Sequence, residues 1–426
     1  MKNSTLFLKG FLNRSGSYVL FATIISRLLS FIASWIALQL IDTKELGIVL
    51  FAFNIISFIL PFAGLGLHQG LLRYGSLLEN EEEKNSLFIF VLKKGLKISF
   101  GIALLIVISS FIIPFNFTNT KYYLAFLSLV IIPHYILSII KIQFRLKQDN
   151  KTFSYMEIVY NIIQFILIFL LSYFLKEKGY SLALLLSPIL ASIIFIKKLK
   201  IDYSKKLILP FINFKFWEYG FFASLAVSFS QFLIAIDIIL IGYLLNNSEA
   251  ITQYKYITLI PYSLLFLSQV VINTDFVTFT ENISNKNYIH NYIKRYMRFF
   301  GFISFFICLA SYLFSNQILQ LFEPSFKEFS DTFLILIFGI CGILIFRGLF
   351  GNLLSSIGKV HINNYIAGMA LIINIISNYI LIPKYGIKGA AITSSLLMWL
   401  TGLISYIWFL FLYKKFHSNE KTPKIV

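Results

Sequence analysis

The sequence predicts an all-α integral membrane protein of about twelve transmembrane helices. They form two six-helix bundles related by a pseudo-two-fold axis along the membrane normal. Three observations predict it. Of 426 residues, 58% are hydrophobic and 13% charged, and the mean hydropathy is +0.79, where a soluble domain carries roughly 25% charge. The apolar residues gather into runs close to the ~20 residues that a membrane span needs. A basic stretch at 197–218 separates six such runs from six more. This density leaves no room for a sizeable soluble domain. It excludes a soluble enzyme, a secreted disulfide scaffold and a nucleic-acid binder. Cys308 and Cys341 both lie in apolar runs, so no disulfide framework is implied.

The runs are 17–40, 46–68, 95–115, 122–140, 153–175 and 180–196, then 219–245, 254–274, 299–315, 332–354, 363–382 and 389–412. The segment before the first is basic, but that run is too long for a signal peptide and lacks a small-residue cleavage site, so it reads as a permanent span. Lys and Arg set orientation. Alternate loops, counted from the N-terminus, hold roughly 27 of the 37 basic residues and the opposite set roughly seven. Both termini are therefore expected in the cytoplasm, and the +18 charge follows from topology. The expected organisation is an N-terminal bundle 1–196, a cytoplasmic linker 197–218 and a C-terminal bundle 219–426.

The two halves look weakly alike. Phe21-Ala22 recurs as Phe222-Ala223, 201 residues later; Tyr155, Gln164 and Lys178-Gly179 recur as Tyr365, Asn374 and Lys388-Gly389, 210 residues later. An even number of spans per half makes this a parallel repeat, a class that places its substrate between the halves and works by rocking.

Charges within spans are expensive and usually line a cavity. Arg27 lies midway along the first span and shares a helical face with Thr23, Ser30 and Ser34. Asp237 is deep in the seventh span, on a face with Ala226 and Ser230. Lys255 begins a stripe in the eighth span through Thr258, Tyr262, Gln269 and Asn273. Arg347 is deep in the tenth, between Gly342 and Gly348. Weaker polar stripes join Asn54, Ser57, Pro61 and His68 in the second span, and Ser154, Glu157, Asn161 and Gln164 in the fifth. Cations, hydroxyls and amides together suit an anionic, polyhydroxylated ligand. The same residues also fit plainer roles: an Arg27–Asp237 ion pair, a snorkelling Lys255, a packing contact at Arg347, and amides bonding neighbouring helices. His68 and His134 fit packing better than ligation.

Absences narrow the chemistry. Gly351 to Gly358-Lys359 has the wrong spacing for a Walker A loop, and Val360 follows where Ser or Thr is needed. No HExxH, CxxC or nucleophile elbow occurs. The longest outward loop, 316–331, is short for an active site, so no enzyme is expected.

The most specific segment is Asn374-Ile-Ile-Ser-Asn378-Tyr-Ile-Leu-Ile-Pro383-Lys-Tyr-Gly386-Ile-Lys-Gly389-Ala-Ala-Ile-Thr393-Ser-Ser395. Pro383 ends a helix, Gly386 permits a turn, and Gly389-Ala390-Ala391 allows close packing of the last helix. The segment resembles the signature at spans eleven and twelve of Wzx-type O-antigen and capsule flippases, in the multidrug/oligosaccharidyl-lipid/polysaccharide superfamily. Gly351 to Lys359 with Asn363-Asn-Tyr365, and Gly64-Leu-Gly66 with Leu72-Arg73-Tyr74, also look family-like.

That resemblance implies translocation of undecaprenyl-pyrophosphate-linked oligosaccharide across the bacterial inner membrane, through a cationic cavity between two six-helix bundles. By position and type, Arg27, Lys255 and Asp237 are the cavity candidates, with Arg347 beside them. Implied partners are that lipid-linked oligosaccharide, membrane lipids, and the polymerase and chain-length proteins of the same pathway. No cofactor is implied; without an ATPase, direction must come from a proton or sodium gradient or from consumption of product. A drug/cation antiporter of the same superfamily is the alternative, but would favour acids in its cavity. A lipid II flippase has two further helices. A membrane-embedded polymerase needs a larger outward loop.

Overall fold

The computed structural model describes residues 16–199, 201 and 212–419, and its described elements are helical. The expected linker 197–218 falls largely on residues outside that description. Two compact units divide at Ala235/Ile236, within one helix.

The first unit opens with α1 (Gly16–Leu40). Asp42 caps α2 (Thr43–Ile59), its carboxylate accepting from the Lys44 and Glu45 amides. A tight turn at Leu60–Gly66 then leads into α3 (Leu67–Gly75). The second span was expected unbroken over 46–68. It breaks because Pro61 enters the turn and Gly64, Leu65 and Gly66 all take positive φ. Next come α4 (Glu81–Ile112), capped by Asn80, then α5 (Thr120–Ser128), α6 (Ile131–Leu146) and α7 (Asn150–Ile196). α1 packs along α7, and α6 against α4 and α7.

α7 is assigned as one 47-residue helix, yet at 1.5 Å per residue it would be about 70 Å long, more than twice the ~30 Å apolar core. Lys176 breaks it at φ 51°, ψ −128°. Beyond the break, a Cβ on Gly179 would strike the Leu171 carbonyl oxygen. In a straight helix these residues lie about 12 Å apart, so the chain reverses there and α7 is two spans.

α8 (Phe214–Leu245) carries the chain into the second unit. There follow α9 (Ser248–Ser263), capped by Asn247, α10 (Phe266–Glu281), and α11 (Lys286–Gln320), capped by Asn285. Next are α12 (Ser330–Gly342), a π-helical turn Ile343–Arg347 and α13 (Gly348–Ser356). The last two are α14 (Val360–Tyr385) and α15 (Ile387–Asn419). α12 and α14 both pack on α15 around a core that includes Phe300, Phe350, Leu353 and Phe409.

Ten stretches are long and apolar enough to cross a membrane, and the bent halves of α8 make an eleventh. Dividing α7 at Lys176 gives twelve among the described residues. The third and ninth spans start earlier than their apolar runs, at Glu81 and Lys286 rather than near 95 and 299. A helix need not end where lipid ends, because Glu and Lys are good helix formers.

Candidate functional site

Asp237 is the centre of the most completely built polar site. It is fully buried in the second unit, where an unpaired charge is very costly. Four neutral donors surround it. Asn374 Nδ2 and Asn378 Nδ2 donate to Oδ1 at 3.1 and 2.8 Å. Tyr254 Oη donates to Oδ2 at 2.8 Å, and Ser394 Oγ donates to the same oxygen. Helical spacing puts Asn374 and Asn378 on one face of α14, and a 2.9 Å bond between their side chains fixes the pair. Among the described residues, the buried Asn378 Oδ1 and Thr393 Oγ1 have no hydrogen-bond partner.

The carboxylate is thus filled by its own unit, and the geometry does not call for the ion pair with Arg27 that the sequence left open. Nor do Ala226 and Ser230 explain it; their side chains lie outside the described residues. The sequence reading missed Tyr254 and Ser394 as partners; it used Asn378 as a signature residue and Asn374 as a signature residue and a repeat match. The signal available was their i, i+4 spacing in an apolar helix.

Lys255 follows Tyr254 on α9 and is partly buried. Its carbonyl accepts from Thr258 Oγ1 at 2.8 Å, and no carboxylate among the described residues lies in salt-bridge range of its ammonium. The expected stripe from Lys255 to Asn273 does not run along one helix. Pro261 lies in the last turn of α9, and the helix stops at Ser263 before α10 starts at Phe266. Gln269 therefore belongs to a different helix from Lys255, and the Asn273 side chain lies outside the described residues.

Arg347 sits at the end of the π-helical turn. Its Nη1 donates to Asn363 Oδ1 at 2.9 Å and to Ser405 Oγ. Asn363 in turn donates to the Gly351 carbonyl at 2.7 Å. This cation is held by neutral groups on α14 and α15. Arg27 belongs to the first unit, on an exposed face of α1 with Ser30. In the fifth span, Glu157 pairs with Lys141 of α6 at 2.8 Å.

A polytopic helical protein with buried polar clusters at mid-span is built as a transporter is built. The chain matches the family described as "Polysaccharide biosynthesis protein" over residues 36–323, and it belongs to that family. An uncharacterized membrane protein of Methanocaldococcus jannaschii is 25% identical over 407 residues, covering 87% of this chain and 78% of that protein. Among solved structures, the lipid II flippase MurJ in an inward closed conformation superposes with a TM-score of 0.69 at 22% identity, over 93% of this chain and 87% of that one. An inward-facing multidrug resistance MATE transporter of the MOP superfamily gives 0.67 at 14% identity, over 95% and 100%. The fold is that of these transporters.

Proposed function

We propose that this protein flips undecaprenyl-pyrophosphate-linked oligosaccharide from the cytoplasmic to the outer leaflet of the bacterial inner membrane, for O-antigen, capsule or exopolysaccharide synthesis. The observation that carries the reading is the polysaccharide-biosynthesis family match in a chain with a flippase's fold. The physics agrees. A prenyl tail is at home in lipid, whereas each unsatisfied polar group of a sugar costs several kcal/mol there, and a pyrophosphate more. A polar cleft open to one side and then the other removes that barrier. The proposed organisation is two bundles, 1–196 and 219–426, joined by the linker 197–218, with both termini cytoplasmic.

Arg27 and Lys255 are proposed to hold the pyrophosphate, Arg as a planar fork and Lys as a point charge. Asp237 is proposed to take the coupling ion. Its surroundings are all oxygen and amide; turning the Asn374 and Asn378 amides, whose O and N are assigned from hydrogen bonding alone, would surround an ion with oxygens. That suits a proton or a hard cation such as sodium. Polymerase and chain-length proteins of the same pathway are the proposed partners.

The test is surface-polysaccharide complementation in a flippase-deficient host, with membrane abundance measured in parallel. Charge-assisted bonds contribute roughly 1.5–3 kcal/mol each, so Arg27→Ala and Lys255→Ala should each impair export at normal abundance. Full complementation by both would remove them from the mechanism. The buried acid at Asp237 also suits a drug/cation antiporter. That reading predicts drug resistance on expression and no complementation.

A further inference from the structure

The first unit contains an open cavity of about 420 Å³, bounded by α2 and the turn after it, α3, α6 and α8, in which polar groups are set among apolar side chains. This is within the roughly 300–1,000 Å³ of small-molecule sites. Ser57, His68, His134, Ser138 and Gln231 supply its polar wall, and the Tyr135 ring an aromatic one. Three of the second-span stripe residues, Ser57, Pro61 and His68, line it; the fourth, Asn54, is spent on the Ala235 carbonyl.

The hydrogen-bonding capacity of this wall is largely unused. His68 Nε2 is engaged by Gln69 Nε2 at 3.1 Å, while its buried Nδ1, with the Ala63 carbonyl near the ring, makes no hydrogen bond among the described residues. The His134 ring and the Gln231 amide have no side-chain hydrogen bond among the described residues. Ser57 and Ser138 give their hydrogens to the Asn54 and His134 carbonyls, at 2.7 and 2.8 Å, which leaves their oxygens as acceptors. Tyr135 donates its hydroxyl to the Val91 carbonyl at 2.8 Å and so offers the cavity only its ring.

Among the described residues, no Asp, Glu, Lys or Arg lines the cavity. Lys141, further along α6, is engaged by Glu157. A phosphate would find no cation here, and a metal ion no carboxylate. An apolar chain would leave the buried His68 Nδ1 unpaired, at about 1–3 kcal/mol, and would offer nothing to the part-buried hydroxyls and the Gln231 amide around it. What fits is a neutral group that both donates and accepts along its edges and presents a C–H face to an aromatic ring.

We propose that this cavity binds a neutral sugar ring of the lipid-linked substrate, separately from the residues proposed to hold the pyrophosphate. The proposal rests on the flippase reading above. It makes the first unit the part of the protein that senses whether the lipid carries a sugar.

The test measures binding of two probes to the purified full-length protein in detergent. One is a short-chain prenyl pyrophosphate bearing a single N-acetylglucosamine; the other is the same prenyl pyrophosphate without sugar. The wild type should bind the first more tightly. His134→Leu and Gln231→Leu should each weaken it about threefold to tenfold, the worth of one neutral hydrogen bond, and leave the second unchanged. His134→Gln should recover part of the loss. Melting temperatures check folding, and Gln231, on the exposed side of α8, keeps the test open if His134→Leu unfolds. Equal wild-type affinity for both probes, or an equal loss for both in the variants, overturns the sugar site. A wild type that binds neither overturns the flippase reading and this site with it.

Discussion

Lys176 and Gly386, 210 residues apart, hold the same backbone conformation, φ 51°, ψ −128° and φ 58°, ψ −142°. Each ends a long helix at a hairpin. Beyond each, a glycine three residues on, Gly179 or Gly389, meets the main chain eight residues back, at Leu171 or Leu381. The preceding turns match at the same offset. Gln148 and Gly358 take positive φ, and the Asp149 and Lys359 amides donate to the Phe144 and Leu354 carbonyls. Asp42 with Asn247, and Asn80 with Asn285, cap corresponding helices 205 residues apart. The two units therefore repeat one turn plan.

At Lys176 an L-residue occupies a conformation that favours glycine, which costs on the order of 1–3 kcal/mol. Lys176→Gly should raise the melting temperature of the purified protein, by relieving about 1 kcal/mol or more. Gly386→Ala should lower it. A lower melting temperature for Lys176→Gly would mean that its side chain contributes more than the strain.

Removing the carboxylate of Asp237 orphans four buried donors, each worth about 1–3 kcal/mol. Asp237→Ala should therefore sharply reduce folded protein in the membrane, as measured by fluorescence size-exclusion. Asp237→Asn, of the same size, should be far milder, while Tyr254→Phe should cost about 1.5–3 kcal/mol, as a bond to a charged group does.

Among the described residues Arg347 has only neutral partners, Asn363 and Ser405, so its removal leaves no described buried anion behind. Arg347→Met, which keeps much of the volume, should leave abundance near normal. Export then separates the roles: unchanged export makes Arg347 a packing residue, and lost export at normal abundance makes it part of the transport path.

Asp149, in the turn between α6 and α7, is held below the usual carboxylate range, first by its hydrogen bond to the Thr152 side chain, then by the Thr152 amide, 3.0 Å from Oδ1, and by Lys151 and Lys198. A depressed acid stabilises the fold fully above its unfolded pKa, near 3.9, and the contribution fades as pH falls through the lower folded value. Asp149→Ala should lose about 1 kcal/mol, as a missing N-cap does. In denaturant titrations the gap between wild type and variant should persist at pH 7 and close at acid pH below about 4.

The sequence by itself determined that the chain is helical and crosses the membrane about twelve times, because the free energy of placing a segment in lipid sums over its own residues. The turn at Gly386 and the repeat at Lys178-Gly179 and Lys388-Gly389 were legible because turn chemistry is local, although Pro383, expected to end the helix, lies inside α14, which runs on to Tyr385. Only the tertiary structure decided where helices break inside a span, as at Gly64–Gly66 and after Pro261. Those breaks depend on what neighbouring helices can satisfy or accommodate. It also decided which polar residues meet. Asp237 receives bonds from residues 137, 141 and 157 positions away, and no helical period connects them. Face and depth can be read along one helix, but a buried charge is settled by its partners on other helices, and those come together only when the chain folds.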